Sequence, residues 1–395
     1  MTSAPAVTSP TSARNAVALV FALNGLCFAT LASRVPDLRE SLDLSNGALG
    51  TLLLSVAVGA MVGMPVSGHL IERFGAGAVV RLGAACDLMG LVTAGLLATA
   101  GSAPGAAFGL LLYGFGAGVW DVAMNVDGAT VERELGRSIM PRFHAGWSFG
   151  TFTGAGLGAV AAALGVPLAV HYAVVPALAV AVTWVACRFL LPVASEDDAS
   201  DAPPARSAWL EPRTLAIGFM VLAFTLAEGS ANDWLALAMI DGYGARHWVG
   251  VVGFALFVAS MTTGRLLGPI ALDRFGRVTS MLASAAAATV GVLLVVWAGV
   301  AALAAAGIIL WGFGSALGFP VGMSAAGDDP ARAARRVSVV STIGYGAFLA
   351  GPPLLGFVGN QVGTLDSLLV IAIAMVPASI LVLSIRRPRV ASSGA

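Results

Sequence analysis

The sequence has no lysine: all 21 basic residues are arginine, and 21 acidic residues balance them to a formal net charge of zero. Zero net charge leaves a nucleic-acid partner no electrostatic footprint. Without lysine, the ATP-binding loop GxxxxGK[ST] is absent. Cysteine is scarce as well. Cys27, Cys86 and Cys187 lie far from any CxxC spacing, which argues against a disulfide framework or a metal site. The four histidines, His69, His144, His171 and His247, show no HExxH or HxxxH spacing. An enzyme would need a nucleophile with its base, a metal cluster or a carboxylate pair. None can be assembled from these motifs, so the chain is expected to be no enzyme and to hold no metal or cofactor.

Charge is rare altogether. Only 11% of the 395 residues are charged and 58% are hydrophobic, with a mean hydropathy of +0.89, whereas soluble domains carry about 25% charged residues. A hydrocarbon core about 30 Å thick takes roughly 20 apolar residues of helix to cross, while a β-barrel would show short stretches of alternating polarity. Continuous apolar runs dominate here, so the expected fold is all-α and integral to a lipid bilayer. The opening "MTSAPAVTSPTSAR" lacks a basic start, a short apolar core and a small-residue cleavage site, so no removed signal peptide is expected.

Breaks at charges, prolines and Gly-rich turns leave apolar segments near 15–34, 47–71, 78–100, 106–131, 143–164, 167–190, 214–237, 248–272, 279–299, 301–325, 338–360 and 364–385, twelve in all. Sorted onto alternating sides, 17 of the 21 arginines fall on one face; Arg34, Arg39 and Arg246 fall on the other, and Arg265 lies within a span. The positive-inside rule then puts both termini in the cytoplasm, in a multi-pass plasma (inner) membrane protein, as an even span count requires.

Between the sixth and seventh segments, "LPVASEDDASDAPPARSAWLEP" reads as a solvated linker. It divides the chain into an N-terminal six-helix half at 1–190, a cytoplasmic linker at 191–212 and a C-terminal six-helix half at 213–395. The halves repeat. Glu72-Arg73-Phe74-Gly75 after span two stands at an offset of 201 from Asp273-Arg274-Phe275-Gly276 after span eight, and "YGFGAG" from Tyr113 stands 198 residues before "WGFGSA" from Trp311. Matched motifs at matched spans imply an internal repeat with a substrate site between its copies.

At these residues the chain resembles the major facilitator superfamily, whose members have twelve helices in two six-helix halves and a signature G-x-L-x-D-R-x-G-R-x after helix two. Here the signature reads Gly68, Leu70, Glu72, Arg73 and Gly75, followed by Ala76 and Gly77. Glu replaces Asp, and the basic residue after the last glycine is missing. The second copy keeps Asp273, Arg274, Gly276 and Arg277, with Pro269 at the first glycine position. In such a signature the glycine allows close helix approach, the carboxylate caps a helix and the guanidinium bridges to an acid. The resemblance therefore implies a conformational latch. Within the superfamily, "FALNGLCFATLASRVPDLRESLDLSNGALGTLLLS" and "DVAMNVDGATVERELGRSIMPRFHAGWSFGTFTGAGLG" are similar to a bacterial inner-membrane branch distantly related to fucose permeases. Drug/proton antiporters carry an Arg in helix four and a Gly-Pro in helix five; Leu110 and Leu112 stand at the Arg positions, and "SFGTFTGAGLG" has no proline.

An acidic side chain at the centre of a transmembrane helix costs about 2.5 to 3.5 kcal/mol on insertion scales, so it persists where it faces protein or water. Asp121 falls near the midplane of span four. Asp121, Asn125, Gly128 and Glu132 follow i, i+4, i+7, i+11 on one helical face. Asp121 reads either as a protonatable or substrate-binding carboxyl or as an interhelical hydrogen bond. Low dielectric favours a neutral carboxyl group, the property a proton carrier needs. Asp127 faces elsewhere, closer to the cytoplasm, and is expected to pair with Arg73 in the latch. In span seven, Glu228 lies near midplane with Asn232 one turn further out on the same face. Asn24 in span one is interhelical glue or a ligand contact. Spans five and eleven carry polar stripes, His144, Trp147, Ser148 and Thr151 in one and Ser338, Ser341, Thr342 and Tyr345 in the other. These stripes either pack helices or, with Trp120 or Trp311, give hydroxyls and aromatic faces to a solute. Arg265 binds an anionic group, counters Glu228 or snorkels to the interface.

The expected function is secondary active transport of a small solute by alternating access, with proton coupling through Asp121 or Glu228 and symport preferred because the antiporter features are absent. The partners are the solute, H+ and the lipid bilayer, and the chain is expected to work as a monomer. Efflux antiport, or a membrane solute sensor that has lost turnover, is the alternative.

Overall fold

The computed structural model describes residues 9–191 and 207–386, and among them all regular structure is helical. Most of the expected linker (192–206) and Arg206, Arg387 and Arg389 of the arginine pattern lie outside the described residues. The rods are α1 Pro10–Ala32, α2 Asn46–Phe74, α3 Ala76–Thr99, α4 Ala103–Leu135, α5 Met140–Ala163 and α6 Leu168–Ala186. After them come α7 Pro212–Tyr243, α8 at 247–275, α9 at 277–297, α10 Ala301–Ala326, α11 Ala333–Val362 and α12 Leu369–Leu381.

Among the described residues, ten helical stretches are long and apolar enough to cross a membrane. One of them, Trp248–Trp297, is two rods, because Gly276 inside it has φ 78° and ψ 165°. The α5 rod is not among the ten, yet its 24 residues span about 36 Å at 1.5 Å each. With that split and α5 included, the rods among the described residues number twelve.

The chain folds into two compact units. The first holds α1–α6 together with Asp329–Thr342, which includes the start of α11; the second holds α7–α10, the rest of α11 and α12. In the first unit α4 packs along both α2 and α3, and α1 packs along α5. Its core gathers Leu31, Leu91, Leu110, Tyr113, Leu168 and Tyr172. In the second unit α10 lies along the α8–α9 rod pair, and α7 packs on α10 and α12.

Local sequence explains where the rods begin and turn. Ser9 caps α1 by accepting from Ser12 N at 3.2 Å, and Ser102 caps α4 by accepting from Gly105 N at 3.3 Å, each with a proline in the first turn. The α2–α3 turn needs φ of 78° at Gly75, as the α8–α9 turn does at Gly276. Only glycine adopts that conformation without a Cβ penalty. The repeat read from the motif is therefore also a repeat of backbone geometry.

Candidate substrate and coupling site

In the first unit, the α4 face of Asp121, Asn125, Gly128 and Glu132 lies against α5. Glu132 accepts from the backbone N–H groups of Ile139 and Met140, both at 2.8 Å, so a carboxylate caps the start of α5. Gly128 sits against Met140 and Phe143. Asn125 donates to the backbone oxygen of Asp121 at 2.9 Å, and its Oδ1 meets His144 Nε2 at 3.1 Å. His144 in turn stands edge-on to Phe21 of α1, with ring centroids 5.0 Å apart. One turn further along α5, Trp147 Nε1 donates to Asn24 Oδ1 at 2.9 Å. A polar seam thus joins α1, α4 and α5, with buried Asp121 one turn beyond Asn125.

The second unit holds charge rather than amides. Arg265 Nη2 of α8 donates to both carboxylate oxygens of Glu228 on α7, at 2.9 and 3.1 Å, with side-chain exposures of 4% and 13%. Next to it, Trp311 Nε1 of α10 donates to Ala227 O at 3.1 Å. Tyr345 stands between Phe319 and Phe348, each ring centroid 5.6 Å away. Asn232 is exposed, in the five-residue π-helical turn Ala231–Leu235, and has no share in the Glu228 pair.

The two signature loops share an internal contact. Arg73 lies over the ring of Phe74 at 5.4 Å, and Arg274 over Phe275 at 5.3 Å. Gly68 lies against the backbone of Ala334 and Arg335 and the Cβ of Ser338, all within the first unit. Glu72 pairs with Arg335 at 2.5 Å, and Ser338 Oγ donates to Met64 O at 2.6 Å. In the second unit Asp328 receives Arg277 Nη1 at 2.7 Å and Arg213 Nη2 at 2.8 Å.

The sequence profile of the Major Facilitator Superfamily matches residues 17–328. The chain belongs to the Major Facilitator Superfamily. A superfamily protein of Yersinia pestis, described as an uncharacterised MFS-type transporter, is 32% identical over 347 residues, covering 87% of this chain and 88% of that one. The fold is similar to that of the Escherichia coli fucose:proton symporter FucP, with TM-score 0.76 at 13% identity over 95% of this chain and 98% of that one. It is similar also to the proton:xylose symporter XylE, with TM-score 0.73 at 13% identity over 94% and 95% of the two chains.

Several sequence expectations about this superfamily member need correction. Trp120 offers no aromatic face to a solute: it is 0% exposed and packs against Gly83 of α3. Asp127 does not meet Arg73. Arg73 is exposed over its neighbouring phenylalanine, while Asp127 is buried with neither carboxyl oxygen hydrogen-bonded. The partner of the signature is instead Arg335, which pairs with Glu72. The hydroxyls of Ser148 and Thr342 donate to carbonyls of their own helices, His144 O at 3.2 Å and Ser338 O at 2.7 Å.

One buried carboxyl was missed. Asp87 lies in the middle of α3, inside the apolar run "RLGAACDLMGL", with no second polar residue at helical spacing to draw attention to it. The signal that finds it is the repeat itself: the 201-residue offset pairs Asp87 with Ala288.

Proposed function

We propose that this Major Facilitator Superfamily chain is a secondary active transporter that moves a small polar solute by alternating access, as a proton symporter and as a monomer. The membrane is a bacterial inner membrane with both chain ends on the cytoplasmic side, in keeping with the arginine pattern. The observation that carries the reading is the Glu228–Arg265 pair. Each of these residues costs several kcal/mol to insert into a bilayer, and apolar side chains of similar size would fill the space without that penalty. Such a pair is retained where protonation or solute binding can exchange one partner for another.

Asp121 and Asn125 supply the matching polar group on α4, and Asn24 and Trp147 widen it toward α1. Protonation of Asp121 would accompany solute binding, and the Gly68–Glu72–Arg335 contact would hold one conformation and release in the other. The two symporters similar in fold are a fucose:proton and a proton:xylose symporter, so neutral monosaccharides head the panel of solutes. The experiment is flux into proteoliposomes for fucose, xylose and a wider solute panel, with and without an imposed pH gradient. Uptake is expected to rise with an inward proton gradient and to lose that dependence in Asp121→Asn. Flux indifferent to both would sink proton coupling; no flux for any solute alongside specific binding would favour a sensor.

A further inference from the structure

Asp87 is a carboxyl group that helix packing does not ask for. It is the twelfth of the 24 residues of α3 and is 1% exposed. Its Oδ1 has no hydrogen-bond partner. It lies on the face of α3 that meets α4 at Gly116, so close that a side chain on Gly116 would occupy its place. The titratable groups around it are Cys27 of α1, Cys86 beside it on α3 and, at the next turn of the α3–α4 crossing, Tyr113 of α4. Among the described residues no ion pair reaches Asp87.

The second half of the molecule supplies the control. Gly90 abuts the backbone of Tyr113 as Gly291 abuts the backbone of Trp311, and Gly116 abuts Asp87 as Gly314 abuts Ala288. The offsets that relate these partners are the same 201 and 198 residues that relate the motifs. The crossing therefore closes with a methyl group in one unit and carries a carboxyl group in the other. An ionised carboxylate in that slot would lose its hydration and gain no counter-charge; the neutral acid loses far less.

We propose that Asp87 is a proton-binding site in the first unit. With the α3–α4 crossing closed it is the neutral acid, having taken one proton from the aqueous phase; when water reaches the crossing it returns that proton and becomes the carboxylate. Its part in driving transport rests on the proton-symport reading above, whereas its proton binding does not.

The test is infrared difference spectroscopy through a pH series on the full chain in lipid, comparing wild type with Asp87→Asn, Asp87→Ala and Asp121→Asn. Wild type is expected to show a protonated-carboxyl stretch that fades as pH rises. Both Asp87 variants are expected to lose that component and Asp121→Asn to keep it. Asp87→Ala is expected to melt no lower than wild type, since Ala288 already fits the same slot. Identical carboxyl spectra in wild type and both Asp87 variants would overturn the proposal, as would a lower melting temperature with an unchanged spectrum, which would assign Asp87 to packing. If wild-type flux ignores the pH gradient while the infrared component still vanishes in both variants, the symport reading fails and the proton site stands.

Discussion

At mid-helix the first unit pairs amides with ring nitrogens, Asn24 with Trp147 and Asn125 with His144, while the second pairs two charged side chains, Glu228 with Arg265. The two units nevertheless share one scaffold. Gly75 and Gly276 turn the chain with the same φ of 78°, and the glycines of the α3–α4 crossing recur in the α9–α10 crossing. The polar side chains do not recur. By the same offsets, Asp121 corresponds to Phe319, Asn125 to Met323, Asp87 to Ala288 and Arg265 to Met64. What repeats is what packing needs, and what differs between the copies marks the residues with some other use.

The comparison breaks most sharply at its shared part. Gly90→Leu and Gly291→Leu should each abolish monodisperse protein on size-exclusion chromatography, because a side chain at either place collides with the backbone of Tyr113 or Trp311. If only one of the two fails, the crossings are not equivalent. At the unshared charge pair, Arg265→Ala should destabilise the protein by about 3 to 5 kcal/mol, because it leaves Glu228 buried without its counter-charge. The double variant Glu228→Gln with Arg265→Met should recover most of that loss in a melting experiment. The smallest effect belongs to the first unit, where a double-mutant cycle on Asn125→Ala and His144→Ala should return a coupling of about 0.6 kcal/mol, the average for hydrogen bonds between membrane helices. A coupling as large as that of the ion pair would erase the contrast between the units.

The fold was readable from the sequence because membrane helices answer to one constraint, an unbroken apolar run long enough to cross, and because the repeated Arg-Phe-Gly loops exposed the turn at Gly276 within an otherwise continuous helix. The face of α4 that carries Asp121 and Asn125 was readable for a similar reason: helical spacing alone puts them in line with Gly128 and Glu132. Which neighbour that face meets was not. Trp120 is a quarter turn from Asp121, and its burial, with its backbone and Cβ against Gly83, follows only from the packing of α3 on α4. Asp127 and Arg73 lie at comparable depth by residue count, but Arg335 had to arrive from a helix more than 250 residues away in the chain to take Glu72. Arg265 as a counter-charge to Glu228 is one of the uses its place within a span allows; that its Nη2 reaches both carboxylate oxygens is legible only from the α7–α8 contact.

The Glu228–Arg265 pair also has an electrical consequence. A single elementary charge moved across a membrane exchanges about 2.3 kcal/mol with a potential of 100 mV. Arg265 and Glu228 are held to one another by two hydrogen bonds, so a movement that carries α7 and α8 together transfers no net charge through the field. While that pair is closed, a joint movement of these two helices carries no net charge from Arg265 and Glu228 through the field, and opening the pair would make their movement sensitive to the membrane potential.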